Sequence, residues 1–122
     1  MKLHKLETIV ERKEIHDIIL DDGFWLPYVS HTVVSDEGRI YGAISDDFAD
    51  DFSFLFMWFR KKGSTPIATF RMYRLVEKYW KEEKGKENIV LTTSQDSIFN
   101  KYLKRFGFQT VHNFQLISKE IK

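Results

Sequence analysis

A chain of 122 residues with net charge +1, 43% hydrophobic and 30% charged residues suits one compact domain and excludes both a disordered chain and a bulk polyanion binder. The absence of cysteine excludes disulfides and thiolate zinc sites. No run approaches the roughly 18 apolar residues of a membrane helix, and the start MKLHKLETIVERKE lacks the apolar core of a signal peptide, so a soluble, cytoplasmic chain with no membrane partner is expected.

Charge is unevenly spread. Between Asp21 and Asp51 eight acids face one base, Arg39, whereas from Arg60 to Glu87 nine bases face four acids. A basic second half suits a nucleotide or coenzyme, and an acidic first half suits a cationic group.

In chain order, Leu3–Glu7 alternates as a first strand. Thr8 then caps a helix, with Glu11 completing a capping box, and Ile9, Val10, Ile15, Ile18 and Ile19 recur at near-helical spacing until Asp21-Asp22-Gly23 stops them. Pro27–Ser35 and Arg39–Ser45 form a hairpin about the turn Asp36-Glu37-Gly38. An acidic loop, Asp46–Asp51, leads to Phe52–Phe59, which is apolar at nearly every position and is therefore expected to be a central strand covered on both faces.

The stretch Arg60-Lys61-Lys62-Gly63-Ser64-Thr65 joins that strand to a helix in which Pro66 suits the first position and Ser64 or Thr65 the N-cap. Ala68, Met72, Leu75, Val76 and Tyr79 make an apolar stripe along it, and Arg71, Arg74, Lys78 and Lys81 a basic one, before an end near Gly85. Asn88–Thr93 reads as a short buried strand, Asp96–Phe106 as a short helix closed by Gly107, and Phe108–Ser118 as a last strand or pair of strands. The order β-α-β-β-β-α-β-α-β predicts a single α/β domain over residues 1–122, a mixed sheet with helices against it.

This succession resembles the GCN5-related N-acetyltransferase (GNAT) family. The family carries R/Q-x-x-G-x-G/A at the turn, where this chain has Arg60 and Gly63 but Thr65 in the last place. It also often carries a Tyr a few residues before Gly-Phe, where Gly107-Phe108 is preceded by Leu103, with Tyr102 one residue early. A second likeness is to small, degenerate GNAT-like proteins of tailed bacteriophages, some of them in the virion. The resemblance implies a mixed, twisted sheet flanked by helices, and acetyl-CoA as cofactor. Its pyrophosphate would lie on the backbone of Lys61, Lys62, Gly63, Ser64 and Thr65, with Arg60, Lys61 or Lys62 adding charge. Its pantetheine would lie along the backbone of Met57 and Trp58, and Tyr102 would protonate the departing thiolate.

Several residues depart from that pattern. Pro66 removes an amide where the family uses several, and Thr65 crowds a small position. The strand Phe52–Phe59 holds no carboxylate to act as base. Two functions follow: N-acetylation of a small or protein amine received at the acidic rim Asp46–Asp51, or an inactive module that binds a protein partner or its own copy, in a cell or a phage particle. On bare residues the turn is either a phosphate cradle or a plain basic turn. Arg71, Arg74, Lys78 and Lys81 lack interleaved aromatics, so nucleic acid is not expected. His4, His16, His31 and His112 show no metal-binding spacing.

Overall fold

The computed structural model describes residues 1–26, 28–46, 55–86, 89, 98–108 and 119. Its elements are β1 (Lys2–Lys5), α1 (Ile9–Asp21), β2 (His31–Val34), β3 (Ile40–Ser45), β4 (Phe56–Phe59), α2 (Pro66–Glu82) and a 3-10 turn (Ile98–Tyr102). The described strands form one antiparallel sheet in the order β1-β2-β3-β4, so the fold is α+β with a helix on each face. A 3-10 turn, Ile98–Tyr102, stands where a short α-helix was expected, and Gly107 at φ +86° closes the separate turn that follows, with its amide on Lys104 O and the Phe108 amide on Leu103 O. The strands expected at Asn88–Thr93 and Phe108–Ser118 lie outside the described residues, save Ile89 and Phe108. Among those residues β4 is therefore last in the order, and no described strand tests its central place.

Local chemistry sets the boundaries. Thr8 accepts from the Glu11 amide and its hydroxyl donates back to the Glu11 carboxylate. At the other end of α1 the Gly23 amide donates to Leu20 O and the Phe24 amide to Ile19 O, with Gly23 at φ +78°. This Schellman closure needs a residue free to enter the left-handed region, which Gly23 supplies. The hairpin is closed by Gly38 donating to Ser35 O and Ser35 donating to Arg39 O.

Alternation along the strands sorts the core into two layers. Val33, Ile44, Leu55 and Met57 pack with Met72, Tyr73, Val76 and Trp80 of α2, whereas Ala43 and Trp58 pack with Ile15 and Ile19 of α1. The register slips between Val33 and Val34, which pair with Gly42 and Ile40 and leave Tyr41 as the extra residue of a bulge. Gly42 is what lets α2 settle on β3: a Cβ there would run into the Met72 thioether and the Trp58 carbonyl. The apolar stripe expected on α2 is right in Met72 and Val76 but too narrow, because Thr69, Tyr73 and Trp80 are also buried.

Candidate functional site at the head of α2

The turn 60–65 sits between the end of β4 and the start of α2, beside the hairpin tip. Gly63 adopts φ +74°, a backbone that other L residues reach only with strain. Thr65, rather than Ser64, is the N-cap: its hydroxyl accepts from the Ala68 amide at 3.2 Å, and Pro66 follows at the first position. That cap settles one doubt about Thr65, because its oxygen satisfies a helix amide and leaves its side chain at the edge of the turn. The Ser64 amide donates back to Lys61 O at 3.3 Å. Among the described residues the amides of Lys62, Gly63 and Ile67 meet no acceptor, so three donors stand at the positive end of a 17-residue helix dipole. Such a helix head, with a glycine turn feeding it, suits an anion.

Two residues that the turn's own sequence does not reveal shape it. Arg39, at the base of the hairpin, lays its guanidinium across the turn and donates to Gly63 O at 3.0 Å; a Cβ on Gly63 would collide with it. Arg39 therefore joins Arg60, Lys61 and Lys62 as a fourth cation. Asp22, presented by the Schellman closure of α1, accepts from Trp58 Nε1 at 2.8 Å and from the Lys61 amide at 3.0 Å through one carboxylate oxygen. It pins the last turn of α1 to β4 and to the first amide of the turn. That amide is thus committed and is not offered to a ligand, which corrects the expectation for Lys61.

The strand side of the site divides between its two expected residues. The Arg60 amide donates to Tyr41 O at 2.9 Å, and the Trp58 carbonyl faces Gly42. Alternate residues of an antiparallel strand turn their backbone the same way, so Trp58 is engaged with β3 and Met57 turns its amide and carbonyl to the other edge. Of the two residues expected to meet the pantetheine, Met57 has its backbone turned away from β3, whereas Trp58 has its backbone on β3 and its side chain buried against α1 and held by Asp22.

Tyr102 is placed away from that strand. Its ring meets Phe70 edge-on at 4.9 Å, with the Arg105 guanidinium 5.9 Å from its centroid, and the next residue, Leu103, is the one that packs against the core layer containing Met57. Adjacent residues on a helical turn diverge by about 100°, so a tyrosine one position early cannot address the same point. The acidic rim is also altered. Asp46 is buried and bonded to Tyr79, while Asp47, Asp50 and Asp51 lie outside the described residues.

Two grooves of about 450 and 490 Å³ open elsewhere, one beside Tyr73, Trp80 and Phe106 and the other between β1 and α2; neither includes the turn. No described helix is long and apolar enough to cross a membrane.

The described residues form an α+β domain in which a glycine turn feeds the head of α2. No protein-family model matches the chain, and no curated protein matches it. Among solved structures, one described as "Putative acetyl transferase from Pyrococcus furiosus" is similar to it, with a TM-score of 0.49 at 16% identity over 98% of this chain and 99% of that one. The chemistry of the site is read from its own residues.

Proposed function

We propose that this chain is a GNAT-type protein that binds acetyl-CoA at the head of α2 and transfers the acetyl group to a primary amine. The observation that carries this reading is the turn itself: a left-handed glycine, amides of Lys62, Gly63 and Ile67 that meet no acceptor among the described residues, and the Arg39 guanidinium on Gly63 O, in a stretch whose sequence also carries Arg60, Lys61 and Lys62. A pyrophosphate there would take hydrogen bonds from Lys62, Gly63 and Ile67 and charge-assisted ones from the cations. Met57 would align the thioester arm through its outward backbone. The cofactor supplies an activated acyl carbon; the amine nitrogen bonds to it, the carbon–sulfur bond breaks, and the amine's proton leaves as the thiol forms. Orientation by the turn and strand supplies much of the rate in such a transfer.

A second reading, a GNAT-like domain that has kept its shape and lost catalysis, is favoured by one specific observation: Leu103, not a tyrosine, packs toward Met57, while Tyr102 is taken up by Phe70. Calorimetry with a transfer assay separates the two. Micromolar acetyl-CoA binding, weakened roughly tenfold by Lys62→Glu, with thiol release on adding a small amine or a lysine peptide, supports the acetyltransferase. Binding without thiol release supports the inactive module. No binding at millimolar ligand contradicts the acetyltransferase and favours a module that meets a protein partner.

A further inference from the structure

Far from the turn, β2 and the end of β3 hold a buried polar cluster that the proposed acetyl transfer does not use. Ser30, His31 and Asp46 are each at least nine-tenths buried. The Ser30 hydroxyl donates to Ile44 O at 3.2 Å and accepts from the Asp46 amide at 3.2 Å. Its remaining lone pair meets His31 Nδ1 at 2.9 Å. A hydroxyl has one proton to give, and that proton is spent on Ile44, so Nδ1 is the donor and carries hydrogen. Variable protonation is thereby confined to Nε2. With Nδ1 turned inward, Nε2 is on the side of the ring that faces the 490 Å³ groove, whose lining includes His31.

The inner partner is an aspartate with an unmet need. Asp46 Oδ2 accepts from the Tyr79 hydroxyl and lies 3.9 Å from Lys84 Nζ. Oδ1 has no hydrogen-bond partner among the described residues and lies 3.5 Å from His31 Nδ1. Burial opposes ionisation of Asp46, but the polar groups of His31, Ser30 and Tyr79 beside the carboxyl outweigh it and hold it well below the usual range. A fixed buried negative charge with one oxygen unmatched favours a second positive charge beside it. His31 is the residue placed to carry that charge once an anion in the groove meets Nε2.

The groove supplies the rest. Its walls carry Lys2 and Lys5 from β1 and Lys78 from α2, and among the described residues none of these three lysines makes an ion pair. Lys5 pairs with His31 across the ladder, so both side chains project from the same face of the sheet. Glu82 and Glu83 stand at the far end of the helix wall and oppose a ligand that is anionic throughout. A volume near 490 Å³ is that of an ordinary small-molecule site.

We propose that the groove between β1 and the second half of α2 binds a compact ligand through a carboxylate or phosphate group, which accepts a hydrogen bond from His31 Nε2 and is flanked by Lys5 and Lys78. Binding takes up a proton at Nε2, because a neutral imidazole with hydrogen on Nδ1 turns a lone pair, not a donor, to the anion.

The test titrates acetate, and separately sulfate as a phosphate dianion that does not titrate near neutrality, into the full chain. Calorimetry runs in two buffers of different ionisation enthalpy, and the four histidine rings are followed by NMR. The proposal expects saturable binding in the millimolar range with net proton uptake and a saturating shift of the His31 ring alone. Lys5→Gln and Lys78→Gln, both surface changes, each weaken that binding about two- to fivefold. His31→Gln abolishes the proton uptake. A response to acetate alone assigns the site to carboxylates, and one to sulfate alone to phosphates. The proposal is overturned if neither anion shifts the His31 ring saturably, if proton uptake is absent, or if both lysine variants bind as the parent does.

Discussion

Asp22 does two jobs with one oxygen, and that oxygen is the most economical point at which to disturb the site. Removing it leaves the indole N–H of a tryptophan that is 2% exposed and the Lys61 amide without an acceptor. An unsatisfied buried donor costs on the order of 1–3 kcal/mol, so Asp22→Ala should lower the unfolding free energy measured in urea by that much and weaken acetyl-CoA binding as well; an unchanged free energy would mean that the carboxylate is not the tether between α1 and β4. Asp46 gives a pH signature instead. Its carboxyl is held below the ordinary aspartate range in the folded state, so its contribution to stability is present in full above the unfolded value and is lost as pH falls below it toward the folded one. Asp46→Asn lacks that contribution at every pH. Denaturation at pH 7 and pH 3 should therefore show a gap between parent and variant that narrows in acid. Neither residue advertises itself in the sequence. Asp22 lies 39 positions from Lys61 and Arg39 lies 24 from Gly63, and a turn aspartate or arginine has no spacing that marks such a partner. His31 left a faint trace: it shares the parity of Val33, a core position, and a histidine on an apolar face needs polar partners.

At the scale of elements, the sequence is legible wherever a signal is local. Thr8 with Glu11, Asp22-Gly23, Asp36-Glu37-Gly38 and Thr65-Pro66 each close or open an element within a few residues, and the observed boundaries of α1, the hairpin and α2 follow them closely. Phe52–Phe59 reads as one long strand because nearly every residue is apolar, a pattern that carries no period to set its ends; Phe56–Phe59 is strand and Leu55 is not, while residues 52–54 lie outside the described residues. The 3-10 turn at Ile98–Tyr102 is a related case: the same residues support either helix type, and tertiary contacts decide. Gly42 marks where β3 and α2 meet most tightly. Gly42→Ala should cost about 1–3 kcal/mol by forcing Met72 away, measured as a fall in thermal midpoint. A variant as stable as its parent would show that α2 has room to retreat. The surface change Lys62→Glu, tested for ligand binding, should leave that midpoint nearly unmoved.

At the scale of the molecule, α2 links the two places where chemistry is expected. Its head receives the turn, and its second half, through Tyr79 and Lys78, walls the groove that faces His31. At 1.5 Å per residue, Thr65 and Lys78 are about 20 Å apart along the axis, so a ligand in the groove is not a part of a pyrophosphate at the turn, and the two sites can be tested separately. The expectation of a GNAT-like arrangement rests on the order of elements and on Arg60 and Gly63; the described strands form an antiparallel sheet in the order β1-β2-β3-β4. The departures are local: Leu103 stands where a tyrosine is usual, and Trp58 has its backbone engaged with β3. A domain of this kind can keep its coenzyme and lose its acid, which is why binding is the first property to establish. The most direct measurement follows the backbone amides by NMR during titration with acetyl-CoA. The account predicts saturable shifts centred on Lys62, Gly63 and Ile67, with Met57 also moving. Shifts that leave those amides untouched, or none at millimolar ligand, would contradict it.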